Sequence, residues 1–128
     1  MESFKNEITS SYKGLDYIVR LYPMGYRCGY VKVPESLNDD KFYENGTLLV
    51  HGGVTFEETI GDDDTYLPPG HWIGFDCAHC GDGMDIAATL ENFGKEPDYP
   101  MSGKVWGTEQ VESECKSVID QLVKLTEE

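Results

Sequence analysis

The chain has 128 residues, 24 of them acidic and ten basic, which gives a formal net charge of −14 at pH 7. This length predicts one domain, residues 1–128, and the acidity argues against a lysine- and arginine-lined groove for nucleic acid. A basic leader is lacking, and no stretch approaches the roughly 18 apolar residues of a membrane span, so we expect a soluble intracellular protein with no membrane partner.

A hairpin is predicted near the start of the chain. Residues 15–21 place Leu, Tyr, Val and Leu in alternation with Asp, Ile and Arg, which is the period of a strand with one apolar face. Residues 23–25 contain a proline and a glycine and mark a turn. A second strand is expected from residue 26 to residue 33, where Pro34 ends it.

The middle of the chain predicts short elements separated by loops. Residues 36–43 indicate a short helix or a capped turn, with Ser36 as the N-cap. Strands are expected at 47–51 and 53–56, on either side of a glycine pair. Residues 61–70 form a long acidic loop rich in turn residues.

The strand that starts at His71 leads directly into polar residues. Alternation turns Ile73 and Phe75 toward the core and puts Trp72 and Asp76 on the other face, with a glycine between them. A flat ring, a gap and a carboxylate suit a nucleobase or another planar polar ligand. The alternative is a tryptophan packed under a loop and an aspartate that caps the next turn. Both interpretations remain open at this point.

The clearest element is a helix over residues 108–125, with Thr108 as its N-cap. An apolar stripe at helical spacing predicts that one side of this helix covers the core. The stripe consists of Val111, Cys115, Val118, Ile119, Leu122 and Leu125. The predicted fold class is α+β, a mainly antiparallel sheet packed against this C-terminal amphipathic helix.

The thiols allow a metal site but do not favour one. Cys77, His79 and Cys80 have ligand-like spacing, and a tetrahedral zinc site could recruit His51 or a further cysteine. A structural zinc site usually has a second paired knuckle, whereas Cys28 and Cys115 each stand alone. With Cys77 and Cys80, these are the four cysteines of the chain. We therefore expect no metal and no other cofactor.

An enzyme based on cysteine and histidine is a further alternative. Cys77 could act as a nucleophile with His79 or His51 as its base, and Asp76 or Asp82 could orient the imidazole. No recognisable catalytic signature surrounds these residues, and the sequence alone does not establish a contact between them.

Two strand ends that carry polar residues and glycines suggest one pocket. Gly52 and Gly53 could bring backbone amides close to a phosphate, although no phosphate-loop lysine follows them. Either Arg27 or Arg20 could add positive charge. The predicted ligand-binding residues are His51, Gly52, Gly53, Trp72, Asp76, His79 and Arg27.

Four blocks of the chain resemble a small family of bacteriophage and prophage proteins. They are residues 29–34, the run Val50-His51-Gly52-Gly53-Val54-Thr55-Phe56, residues 72–79 with Gly81-Asp82, and residues 111–115. The resemblance spans most of residues 25–122. In similar sequences the position of Cys80 is often not cysteine, which further weakens zinc ligation.

The resemblance and the small size imply an anti-defence protein in the cytoplasm of an infected bacterial host. Such sponges sequester nucleotide-derived immune signals, of the cyclic nucleotide or cyclic ADP-ribose type. We therefore expect a homo-oligomer that binds a small nucleotide-like ligand. The first alternative is an acidic inhibitor that binds a protein, including a DNA mimic, and the second is the cysteine- and histidine-dependent enzyme.

Overall fold

A computed structural model describes residues 3–38, 41–79, 81–97 and 100–127, without the side chains of residues 44 and 45. The fold is α+β, as predicted. Within the described ranges, a five-stranded antiparallel sheet has the order β1-β2-β3-β5-β4, and a small parallel pair joins β6 to β7. The elements in chain order are β1 (Lys5–Tyr12), β2 (Leu15–Leu21), β3 (Arg27–Lys32), a 3₁₀ turn (Glu35–Leu37), α1 (Phe42–Asn45), β4 (Phe56–Ile60), β5 (Gly70–Asp76), β6 (Asp82–Gly83), α2 (Ile86–Phe93), β7 (Lys104–Val105) and α3 (Thr108–Thr126).

The predicted hairpin is confirmed as β2 and β3. The turn between them is closed by a hydrogen bond of 3.0 Å from the Tyr22 backbone N to the Tyr26 carbonyl. Gly25 takes a φ of +95°, a conformation that L side chains rarely adopt. Both faces of β2 are covered, one by α3 and the other by the loop before β5, so Ile18 and Arg20 are as buried as the predicted apolar face.

The predicted strands at 47–51 and 53–56 are wrong. The chain turns there instead, with the Gly53 backbone N donating to the Val50 carbonyl at 2.9 Å. Gly52 and Gly53 have φ values of +71° and +80°, which break an extended run. Strand β4 starts only at Phe56 and pairs with β5.

The predicted N-cap at Ser36 is also wrong. Pro34 precedes the 3₁₀ turn, and its carbonyl accepts from the Leu37 backbone N at 2.9 Å. A helix does form nearby, but α1 begins at Phe42, whose side chain is buried in the core.

Strand β5 lies between β3 and β4 and is buried on both faces. Ile73 and Phe75 belong to the core beneath α3, as predicted. Trp72 lies in a second core on the other face, where its Nε1 donates to the Pro68 carbonyl at 2.8 Å. The acidic loop before β5 therefore covers that face of the sheet.

Helix α3 packs on β1, β2 and β3 and closes the main core. Val111, Cys115, Val118, Ile119 and Leu122 are buried as predicted, whereas Leu125 is only partly buried. The N-cap is Gly107 rather than Thr108, and its backbone N donates to the Gln110 side chain at 2.9 Å. Within the described ranges, no helix has the length and apolar character needed to cross a bilayer.

Candidate functional site

The two predicted polar junctions meet in the structure. The rings of His51 and His79 lie edge to face with centroids 5.6 Å apart. The His79 ring packs so closely on Gly52 that a Cβ at this position would overlap the imidazole. Gly52 therefore allows the turn after His51 to approach the segment that follows β5. We call these residues, together with Asp76, Asp82 and Trp106, the histidine cluster.

The Asp82 carboxylate connects three segments of this cluster. It accepts hydrogen bonds from His51 Nε2 at 2.9 Å, from the His79 backbone N at 3.0 Å and from Trp106 Nε1 at 3.0 Å. Burial raises the pKa of the Asp82 carboxyl, but the bonds from His51 and from the His79 backbone outweigh it and hold this pKa below its ordinary value.

An ionised Asp82 determines which nitrogen of His51 carries a proton. A carboxylate only accepts hydrogen bonds, so His51 Nε2 must donate to it. In the neutral imidazole this leaves His51 Nδ1 without a proton and able to accept one. The side chain of His51 is 22% exposed, so the ring remains accessible to a ligand.

Trp106 is the aromatic residue of the cluster. Its ring stacks on His51 with a centroid distance of 4.0 Å and an interplanar angle of 28°. Lys104 Nζ lies 4.4 Å from the Trp106 ring centroid and brings a positive charge near the stack. The His51 backbone N donates to Glu114 Oε1 of α3 at 2.8 Å, which fixes the turn against the helix.

Asp76 forms the second imidazole–carboxylate pair. Its Oδ1 accepts from the Ala78 backbone N at 3.1 Å, which is the predicted capping of the turn. The same atom lies 3.2 Å from His79 Nε2, an ion-pair distance without the geometry of a hydrogen bond. Thr55 donates to the other carboxylate oxygen at 3.1 Å. Both side chains of the pair are about a third exposed, 33% for Asp76 and 34% for His79.

Trp72 does not contribute to the cluster. Its ring is 1% exposed and packs among residues such as Ile18 and Leu67, so a ligand cannot stack on it. The structure matches the alternative in which the tryptophan lies under a loop. The expectation that Trp72 faces the ligand fails because both faces of β5 are covered.

The two arginines are also engaged elsewhere. Arg27 is 4% exposed and forms ion pairs with Glu7 at 2.6 Å and with Asp85 at 2.7 Å. It also donates to the Trp106 carbonyl of the cluster, at 3.1 Å. Arg20 bonds Asn6 and the Tyr66 carbonyl, on the sheet face that carries the second core. Neither guanidinium is therefore available to pair with a ligand bound at the two histidines.

The described thiols are poorly suited to nucleophilic chemistry. Burial raises the pKa of Cys77, and it raises the pKa of both Cys28 and Cys115 to about 12. In the described part of the chain, no group of three or more His, Cys, Asp or Glu residues is arranged to hold a metal ion. Cys80 lies outside the described residues.

The sequence had indicated His51, Gly52, Asp76 and His79, and the structure brings them together. The sequence did not indicate Trp106 and Glu114, because both lie near the start of α3, far along the chain from the two polar strand ends. A lone tryptophan before an amphipathic helix carries no signal of this contact. No protein-family model, curated protein or solved structure matches this chain.

Proposed function

We propose that the protein binds and sequesters a small nucleotide-like ligand at the histidine cluster. One observation carries the proposal. Two imidazoles from separate segments converge with ring centroids 5.6 Å apart, each beside a carboxylate, and both stay partly exposed. Side chains held by fixed hydrogen bonds bind a ligand with little loss of conformational freedom.

The chemistry of the cluster suits phosphate and ribose or base groups. A protonated imidazole donates to phosphate oxygens, and a neutral imidazole can accept from a hydroxyl or an amino group. Lys104 is the nearby cation, in place of the predicted Arg27 or Arg20. Gly53 adds room, since a Cβ there would meet no atom within 4 Å.

The biological context of the proposal comes from the resemblance to phage proteins. In that context the ligand is an immune signal of the cyclic nucleotide or cyclic ADP-ribose type, and the protein acts in the cytoplasm of an infected bacterium. Sequestration requires tight binding and no chemical step. The high pKa of the described thiols is compatible with such a role.

Mass spectrometry tests the proposal directly. Protein purified from signal-producing cells should release an intact small molecule upon denaturation. Calorimetric titration of that molecule should then show a loss of about 1–3 kcal/mol for His51→Ala and for Asp76→Ala, because each leaves a ligand group unpaired. The double mutant should lose less than the sum, since both residues share one ligand.

His71→Gln is the matched control for these variants. It removes another imidazole–carboxylate pair, in which His71 Nε2 lies 2.7 Å from Glu57 Oε2, outside the cluster. Its affinity should equal that of the wild type. Unchanged affinity in both cluster variants, with the fold intact, would place the ligand site elsewhere.

A second candidate function is acid–base catalysis on the bound ligand. The observation that favours it is the ionised Asp82, which leaves His51 Nδ1 free to act as a base, while His79 lies close enough to act as the acid. An enzyme would return altered product in the same mass-spectrometric experiment. Asp82→Asn would then abolish turnover, whereas Cys77→Ser would leave it unchanged.

A further inference from the structure

Arg20 is a buried cation without a carboxylate partner. The residue is 1% exposed, and among the described residues no carboxylate lies within ion-pair distance of it. Its Nε donates to Asn6 Oδ1 and its Nη2 to the Tyr66 carbonyl, each at 2.7 Å. Its Nη1 is buried and has no hydrogen-bond partner in the described part of the chain. A buried charged donor left unpaired is costly, so this nitrogen favours an added acceptor.

Aromatic rings surround the guanidinium but leave that donor unpaired. Arg20 Cζ lies 3.8 Å from the ring centroid of Phe4, 4.7 Å from that of Tyr66 and 5.1 Å from that of Tyr30. The hydroxyls of Tyr22, Tyr30 and Tyr66 bond one another at 2.6 to 2.7 Å. These rings stabilise the cation through their faces, and the three phenols bond one another.

A cavity of about 290 Å³ lies beside this arginine. Its walls come from the segment around Phe4, from β1 and β2, and from the loop before β5. The lining combines apolar side chains such as Ile18 and Leu67 with polar ones, among them Asn6, Thr9 and Thr65. Asp64 also lines the cavity, but its carboxylate accepts from the Tyr66 backbone N at 2.7 Å instead of pairing with Arg20. The lining shares no residue with the histidine cluster.

We propose that this cavity is a second binding site, for a small carboxylate with an apolar or aromatic body. A carboxylate complements the planar guanidinium, and one of its oxygens would accept from Nη1. The small volume, the partly apolar walls and the acidic Asp64 in the lining favour a compact monoanion over a multiply charged phosphate. Since the Phe4 ring stacks on the guanidinium, binding requires this ring to shift and open the nitrogen to the cavity.

Benzoate is a suitable probe, and benzamide is its neutral counterpart of the same shape. In a titration of the wild-type protein followed by NMR, benzoate should shift the signals of Phe4, Tyr66 and the Arg20 Nε–H saturably. Benzamide should bind about tenfold more weakly, because it lacks the charge that pairs with the guanidinium. Inorganic phosphate, as a further probe, should leave the cavity signals unchanged.

Variants test the charge directly. Arg20→Gln should lose benzoate binding, and Asp64→Asn should bind benzoate more tightly, since it removes the acidic residue of the lining. If Arg20→Gln does not fold, the wild-type titration and Asp64→Asn still decide the question. Equal binding of benzoate and benzamide, shifts confined to the histidine cluster, or no saturable shift at millimolar benzoate would each overturn the proposal.

Discussion

The Asp82 carboxylate is a single group on which His51, His79 and Trp106 all depend. Its pKa lies below the ordinary value of 3.8, so it stabilises the fold above that value and loses this contribution as the pH falls through its lower native pKa. We expect Asp82→Asn to lower the free energy of unfolding near neutral pH by about 1–3 kcal/mol. The difference from wild type should shrink in acid.

Urea unfolding between neutral pH and strongly acidic pH measures this difference. Asp62→Asn is the control, because Asp62 is exposed, and the stability of this variant should follow that of the wild type at every pH. A difference between Asp82→Asn and wild type that stays constant into acid would contradict an ionised Asp82.

Gly52 and Gly53 offer a matched pair of substitutions. Both have a positive φ, +71° and +80°, so Ala at either position should cost about 1–2 kcal/mol of backbone strain. Only at Gly52 would the new Cβ meet the His79 ring. Gly52→Ala should therefore be the less stable variant and should weaken ligand binding more than Gly53→Ala does. Equal effects in thermal unfolding and titration would show that the turn and His79 are not in contact.

The described thiols should be unreactive in the native protein. Burial is the main cause of the high pKa of Cys28, Cys77 and Cys115, so little thiolate forms at pH 8. A colorimetric thiol reagent should label them only after unfolding. Cys77→Ser should keep the ligand affinity, and elemental analysis should find no stoichiometric zinc. One zinc per chain, or rapid native labelling of Cys77, would restore the metal or nucleophile alternatives.

Helix α3 depends on its apolar face. Ile119 is fully buried in the core beneath it, so Ile119→Ala should lower the free energy of unfolding by about 2–5 kcal/mol. Ser113→Ala, on an exposed position of the same helix, should change it by less than about 0.5 kcal/mol. Denaturant unfolding of both variants checks the assignment, and similar small losses would place Ile119 in solvent.

The sequence predicted β2, β5 and α3 because an apolar period repeats over each of them, and it predicted β3 from the turn before this strand and from Pro34 after it. It missed β1, since Lys5–Tyr12 is an edge strand with mostly polar residues and little apolar alternation. The sequence also predicted a strand at 47–51. Apolar residues of this segment do pack on the core, but its backbone pairs with a side chain and not with another strand.

Leu48 is buried there, and the Leu49 backbone N and carbonyl bond the Gln121 side chain, each at 2.8 Å. The Gln121 side chain of α3 thus forms the hydrogen bonds to this backbone that a neighbouring strand would form in a sheet. Local periodicity contains no information about a contact that spans 72 positions. Trp106 and Glu114 also reach the site through contacts between distant parts of the chain, so local patterns do not predict them. The polar residues and glycines at strand ends, in contrast, form local patterns that the sequence shows directly.

The molecule as a whole remains predicted to form a homo-oligomer. Several large apolar side chains are exposed and available for an interface, among them Met24, Leu49 and Met101. Light scattering after size exclusion should give a mass that is a multiple of 14.4 kDa. A mass of one chain across the micromolar range would contradict this expectation, and salt-sensitive capture of a host protein would favour the acidic inhibitor.

The hydrogen bond from the His51 backbone to Glu114 makes the proposed ligand site depend on α3. The turn that carries His51 is therefore held in place only while α3 is docked. Docking and binding are then linked equilibria, and a ligand held by His51 must slow amide hydrogen exchange along α3, far from any atom it touches. Slower hydrogen exchange along α3 would therefore indicate that a ligand is bound at His51.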